Sequence, residues 1–208
     1  KVAAFASWDV FPFIINEQRS DVPVNAGFDI AESENLSEKE KFLNEIQPST
    51  PSPWSSVRLD VFTHHFAKEY LIKNKPKVLY IAYGETDDFA HDSQYDEYLF
   101  AARRTDQFIK DLWEYCQSVP EYKNKTAFII TTDHGRGDAI KEEWTSHGTG
   151  VKDAYQIWLG GIGKGIKATG EGNSEGRWYA NQVVNTILDL LGIETKERKG
   201  KAILEIRE

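Results

Sequence analysis

The chain has 208 residues, the size of one ordinary domain with enough interior to fold, and its 40% apolar content with six Trp, nine Tyr and eleven Phe argues against disorder. A formal charge of -8 leaves no broad basic footprint for a nucleic-acid backbone, yet it does not exclude small anionic substrates, because bound divalent cations reverse the field locally. No run approaches the roughly 18 apolar residues of a membrane span, and the one cysteine, Cys116, cannot close an internal disulfide and so does not choose a compartment.

Val2 to Ala6 is apolar and short, the pattern of a buried strand. A chain that opens inside a strand, with no Met and no signal peptide, reads as a piece of something longer. Trp8 to Ile15 is expected to be a loop entering a brief helix, and residues 16 to 36, with Pro23 and Gly27, to be irregular. Ser37 with Glu40 predicts a capping box for a short helix carrying Phe42, Leu43 and Ile46. The prolines at 48, 51 and 53 then force a turn.

Ser55 or Ser56 is the expected cap of a helix reaching about Lys73, with Leu59, Phe62, Phe66 and Tyr70 along one side. Lys77 to Ala82 reads as the next strand. Tyr98, Leu99, Ala102, Ile109, Leu112, Trp113 and Cys116 follow a 3.6-residue period, which predicts a helix over about 94–118, long enough to cross back over a sheet. Thr126 to Thr131 is a nearly continuous apolar strand, as expected of one covered on both faces.

Tyr155 to Leu159 is a further expected strand, and the glycine-rich run from Gly160 to Gly176 an expected loop. That run matches neither a phosphate-binding loop nor a dinucleotide fingerprint. Tyr179 to Leu191 predicts a closing helix stopped by Gly192. Ala202-Ile203-Leu204 carries the composition of an edge strand. Alternating helices and strands point to an α/β fold in three layers, α/β/α, around a mostly parallel sheet, with residues 1–208 forming one domain.

Two apolar runs end in Asp and His: Ile81-Ala82-Tyr83-Gly84-Glu85-Thr86-Asp87-Asp88-Phe89-Ala90-His91, and Phe128-Ile129-Ile130-Thr131-Thr132-Asp133-His134-Gly135. A third histidine lies in Thr145-Ser146-His147-Gly148. The carboxyl ends of buried strands are where open α/β sheets place ligands. Carboxylate oxygen plus imidazole nitrogen, with no thiolate in the motifs, suits Zn²⁺ or another first-row divalent ion such as Mn²⁺. Asp87, His91, Asp133, His134 and His147 are more ligands than one four-coordinate zinc uses, which leaves two metals, or one metal with outer carboxylates orienting the imidazoles.

Plainer roles exist for each. Asp87 or Asp133 can serve as a turn or cap residue, and His91 can be satisfied by a carbonyl. His64 and His65 read as helix-face residues, Arg103 and Arg104 as solvated and Cys116 as core; Trp8, Asp9 and Trp144 can line a pocket or merely pack. Arg136 follows Asp133-His134-Gly135 closely enough to meet an anionic ligand.

The three motifs in this order resemble the metal-binding pattern of the alkaline phosphatase superfamily, which includes nucleotide pyrophosphatase/phosphodiesterases, phosphoglycerate mutases and sulfatases. With Trp8-Asp9-Val10-Phe11-Pro12 and Pro53-Trp54-Ser55-Ser56, the likeness is strongest to bacterial alkaline phosphatase or type I phosphodiesterase family proteins and covers essentially the whole chain. The resemblance implies an alkaline phosphatase-like fold and two divalent ions, with Asp87, His91 and His147 holding one and Asp133 and His134 belonging to the other. It also implies a small phosphate ester or nucleotide-like substrate, metal-dependent phosphomonoester or phosphodiester hydrolysis, and a periplasmic or secreted location.

In such enzymes a further Asp and the Ser or Thr nucleophile come earlier than the strand at Lys1 to Ser7. Ser7-Trp8-Asp9 has the right residue types at the wrong point in the order. By resemblance the chain is therefore the later part of a catalytic domain, its N-terminal portion missing and the fragment itself inactive. A sulfatase or phosphomutase of the same superfamily is the alternative, and a non-catalytic binding domain that kept the fold is another. Oligomeric state is not legible in the sequence.

Overall fold

In a computed structural model the chain is described at residues 1–137, 141–172, 177–194, 200–203 and 206. It gathers into two compact units, Lys1–Glu114 and Tyr115–Glu208. In chain order the first unit contains β1 (Val2–Ala6), α1 (Phe11–Ile15), α2 (Glu17–Ser20), β2 (Val24–Ala26), α3 (Glu38–Ile46), α4 (Asp60–Asn74), β3 (Val78–Ala82), α5 (Glu85–His91) and most of α6 (Tyr95–Ser118).

β1 is the central strand of three, in the order β2-β1-β3, and both of its neighbours run parallel to it. Side chains alternate across a strand, and the two faces of this sheet are covered differently. Ala3 and Phe5 of β1 join Leu43 of α3 and Phe62, Phe66 and Ala67 of α4 in the core, with Leu79 and Ile81 of β3 packed against it. Tyr80 points the other way, its ring 5.8 Å from that of Phe11 in α1. The first unit is thus a mixed α/β structure around a parallel three-stranded sheet, with α3 and α4 against one face and α1 reaching Tyr80 on the other.

The segment expected to be irregular contains α2 and β2. β2 is short, and its alternation is too brief to register as a pattern; what makes it a strand is the ladder supplied by β1. Gly27, just past β2, has φ 54°. A Cβ there would lie 2.6 Å from Cβ of Asp9, so the turn back from the strand requires glycine.

α3 starts as expected. The Ser37 hydroxyl accepts from the Glu40 amide at 3.0 Å, and the Glu40 carboxylate accepts from the Ser37 amide at 2.6 Å. Gln47–Ser49 then makes a single 3-10 turn over Pro48. α4 does not begin at Ser55 or Ser56: its cap position is Leu59, without a side-chain cap, and the missing acceptor comes from Glu85, whose carboxylate takes the Asp60 amide at 3.0 Å. Local spacing cannot reveal a cap that lies 25 residues away.

The second unit holds β4 (Ala127–Thr131), β5 (Leu159–Gly163) and α7 (Asn181–Leu190). β4 and β5 pair antiparallel, so among the described residues the parallel sheet is confined to the first unit. The expected strand at Tyr155 to Leu159 is displaced toward the C-terminus: only Leu159 is in β5, which runs on through Gly160, Gly161 and Gly163 of the expected loop. A Cβ on Gly161 would sit 3.1 Å from Cγ2 of Ile166, so glycine here lets buried Ile166 lie against the strand. Residues 173–176 of that run lie outside the described residues.

α7 ends as expected. Gly192 takes φ 67° and its amide donates to the Asp189 carbonyl at 3.1 Å, while the Ile193 amide donates to the Leu188 carbonyl at 2.9 Å. Ala202 and Ile203 are not in a strand; Ile203 is buried and its amide donates to the Thr186 hydroxyl at 3.0 Å. Leu204 lies outside the described residues. None of the described helices is long and apolar enough to cross a membrane. Ser37→Ala removes the α3 cap and the hydroxyl's 2.8 Å bond to Glu69; a loss of about 1 kcal/mol in a urea unfolding titration is expected.

Candidate metal centre

Asp87 and His91 lie on α5, which begins immediately beyond the carboxyl end of β3. They sit four residues apart on a helix rather than on a turn, so both side chains share one face. Nε2 of His91 is 3.4 Å from Oδ2 of Asp87, and both groups are partly exposed.

α5 is seated by buried polar groups at the ends of β1 and β3. Ser7, completely buried, donates to Oδ1 of Asp60 at 2.6 Å. The same oxygen accepts from the Gly84 amide at 2.7 Å, and Oδ2 from the Glu85 amide at 3.2 Å. Behind Ser7 stands Thr63 at 2.8 Å, and behind Thr63 the guanidinium of Arg58, whose Nε donates to it at 2.8 Å. Arg58 also donates to the carbonyls of Asp29 and Asn25, fastening the end of β2 to the same cluster.

Burial, with the negative charge of Glu85 added, pushes the Asp60 carboxyl up to about 7 against the opposing pull of its hydrogen bonds from Ser7, Gly84 and Glu85. Burial also draws Arg58 down to about 9 despite Asp29 and Asp60 nearby. Arg104, expected to be solvated, donates from Nη2 at 2.7 Å and from Nε at 3.2 Å to Oε2 of Glu85.

His64 lies on a helix face, as expected, and that face of α4 is the buried one: the residue is 1% exposed and stacked on Phe108 at 4.3 Å. Its Nδ1 is 3.1 Å from the Tyr83 hydroxyl and its Nε2 2.9 Å from Oδ2 of Asp111. Burial lowers its pKa to about 4, only partly countered by Asp111. Burial works to raise Asp111, but the hydrogen bonds from Lys68 and His64 outweigh it and hold that carboxyl below its ordinary value. The tyrosine hydroxyl, itself raised by burial, keeps its proton.

In the second unit the Asp133-His134-Gly135 motif follows β4 directly. Its loop is pinned by the Gly135 amide, which donates to the Ala154 carbonyl at 2.8 Å. A Cβ on Gly135 would fall 2.2 Å from the Gln156 carbonyl oxygen; only glycine lets the two backbones come this close.

Nδ1 of His134 is 3.0 Å from the Gly135 carbonyl. A carbonyl can only accept, so Nδ1 carries the proton and the ring's lone pair is on Nε2, the tautomer a metal-ligating histidine needs. The rings of His134 and His147 stack with centroids 3.7 Å apart and planes 12° from parallel, and each offers a ring nitrogen within 4.8 Å of the other's. Two imidazoles at this spacing, one with its tautomer set, fit a borderline-soft divalent cation. The Asp133 side chain is 89% exposed, with Oδ2 3.6 Å from Nε2 of His134. Arg136 donates to the Trp144 carbonyl at 3.4 Å.

Within the first unit Asp87 lies beside His91, and within the second His134 lies beside His147, two histidines that the resemblance assigns to different ions. Asp60 and Glu85, and the part Ser7 plays in seating α5, are what sequence reasoning missed. Glu85 could have been suspected from its place between a strand end and Asp87, whereas nothing in the local pattern marks Asp60.

The model of the type I phosphodiesterase / nucleotide pyrophosphatase family matches residues 9–184. The chain belongs to that family. No curated protein and no solved structure matches it. The match bears out the resemblance read from the motifs, and membership in the type I phosphodiesterase family together with the paired imidazoles supports metal-dependent hydrolase chemistry in general.

Two outcomes are expected for this family member. The unfolded chain protonates a histidine near 6.5 while folded His64 resists protonation until about 4, so its contribution to stability is complete above pH 6.5 and drains away as the pH falls to about 4. The urea midpoint of His64→Gln should accordingly depend less steeply on pH across that window than that of the unaltered protein. Gly135→Ala should cost about 1–3 kcal/mol in the same titration, because either the His134 loop or the strand of chain at Gln156 has to give way.

Proposed function

We propose that this chain supplies the metal ligands of a phosphoester hydrolase acting on small phosphate monoesters or diesters, nucleotide-like ones included. The observation that carries the reading is the stacked His134–His147 pair, with the His134 proton held on Nδ1 by the Gly135 carbonyl. By the order of the family's motifs, Asp87 and His91 belong to the same centre as His147. Asp133 and His134 extend it toward a second ion, with Zn²⁺ as the first candidate and Mn²⁺ as the other.

Bound divalent ions supply a Lewis acid that lowers the nucleophile's pKa and bears the charge of the leaving oxygen. The chain's own part is to orient the His134 imidazole through the Gly135 carbonyl and to hold Asp133 beside His134 and Asp87 beside His91. Arg136, two residues beyond His134, brings a positive charge suited to a phosphoryl oxygen. A periplasmic or secreted setting belongs to this reading by family likeness alone.

Ser7 does not fit the nucleophile's role. Its hydroxyl is completely buried and donates to Asp60, so attack on a phosphorus atom would require dismantling the network that seats α5. Hydrolysis of an aryl phosphate by these 208 residues is expected to stay close to background. Elemental analysis of protein prepared without chelator is expected to find about one zinc or manganese per chain. His147→Ala and Asp87→Ala should each weaken that retention roughly tenfold or more. A chain that neither carries an ion nor gains thermal stability on adding Zn²⁺ would overturn the reading in favour of a binding domain, and steady turnover abolished by chelator would overturn the assignment of Ser7.

A further inference from the structure

α5 has seven residues, too few to hold its shape or direction without outside support. Its orientation decides where Asp87 and His91 point. The first free amides of such a helix need acceptors, and the first two at α5 share a single side chain: Asp60 takes the Gly84 amide on Oδ1 at 2.7 Å and the Glu85 amide on Oδ2 at 3.2 Å. The bond is returned, because Glu85, the first residue of α5, accepts the amide of Asp60, the first residue of α4, on Oε1 at 3.0 Å. Two helices from distant parts of the chain thus cap each other through exchanged carboxylates.

Both carboxylates are anchored from a third side. Asp60 receives the Ser7 hydroxyl from the end of β1 at 2.6 Å, and Glu85 receives Arg104 from α6 at 2.7 Å. Gly84 makes the approach possible, since a Cβ there would stand 2.9 Å from Cγ1 of Val57 and 3.2 Å from Cβ of Ser7. Each bond runs to an atom whose position is fixed by a strand or a longer helix, so α5 inherits its direction from the sheet.

We propose that Asp60 and Glu85 are positioning residues for the metal ligands Asp87 and His91. The inference rests on the phosphoesterase reading only in taking those two side chains as ligands. Asp60 and Glu85 do not touch the ion; they set the angle of the helix that presents its ligands, as outer-shell groups do when their loss costs metal affinity rather than fold.

Asp60→Asn is the informative change. An amide oxygen can still serve Ser7 and Gly84, but the amide nitrogen then faces the Glu85 N–H, donor against donor. Glu85→Gln is the milder second variant: it keeps the acceptor for the Asp60 amide and sets its nitrogen against Arg104. Two measurements on the full chain decide the matter. Hydrogen exchange of metal-free protein should show residues 84–92 opening roughly tenfold faster in Asp60→Asn, with α3 unchanged. Titration with Co²⁺, followed by its visible absorption, should show affinity falling roughly tenfold to a hundredfold with an altered spectrum, and by less in Glu85→Gln.

Ser37→Ala, which loosens α3 without touching α5, should leave Co²⁺ affinity and spectrum as they were. Unchanged exchange over 84–92 in both variants would overturn the proposal, as would wild-type Co²⁺ affinity and spectrum in a variant whose α5 opens faster. An unaltered chain that takes up no Co²⁺ would instead sink the metal reading, and with it the ligand role of α5. That failure is told apart by occurring before any substitution is made.

Discussion

A carboxylate taken out of water must be surrounded by donors or give up its charge. Asp60 is buried and receives a hydroxyl and two amides. Much of the architecture around the first unit's sheet edge follows from that demand. Ser7 closes β1, Gly84 and Glu85 open α5, and Asp60 itself opens α4; one side chain therefore ties together a strand and two helices that have no sequence proximity. Thr63 and Arg58 extend the cluster to the end of β2. Asn25 leaves Oδ1 without a partner inside this otherwise well-satisfied region.

The second unit solves a similar problem with backbone. Glycine seats the loop after β4, by allowing two stretches of main chain to approach more closely than any side chain permits. The consequence is chemical as well as geometric. Once Gly135 is in place its carbonyl reaches Nδ1 of His134, and the tautomer of the imidazole is determined by the same turn that positions it. A glycine that looks like punctuation in the motif is thus the residue that sets the tautomer of its histidine.

The buried His64 shows how one residue type serves two purposes in one chain. His134 and His147 stand partly open to solvent with nitrogens close together, an arrangement suited to an ion. His64 has both nitrogens engaged by Tyr83 and Asp111 and a phenyl ring stacked on it. It joins β3 to α4 and α6 as a neutral hydrogen-bonding spacer. Neither fate can be told from the residue type alone, because what differs is the set of groups the fold brings to each ring.

The elements with strong periodicity or local capping signals, α3 with its Ser37–Glu40 box, α6 with its long apolar stripe, β1, β3, β4 and the Gly192 stop, are determined by nearest neighbours along the chain and were legible in the sequence. So was the family, because the Asp/His motifs keep their order whatever the packing. What only tertiary structure decided depends on partners far away in sequence. β5 forms from glycines because β4 offers them a ladder, α4 begins at Asp60 because Glu85 reaches its amide, and Arg104, still open to solvent, turns to that same Glu85 as its counter-charge. Spacing carries information about one helix turn or one pleat; a hydrogen bond between residues 60 and 85 is invisible to it until the sheet has brought the two together.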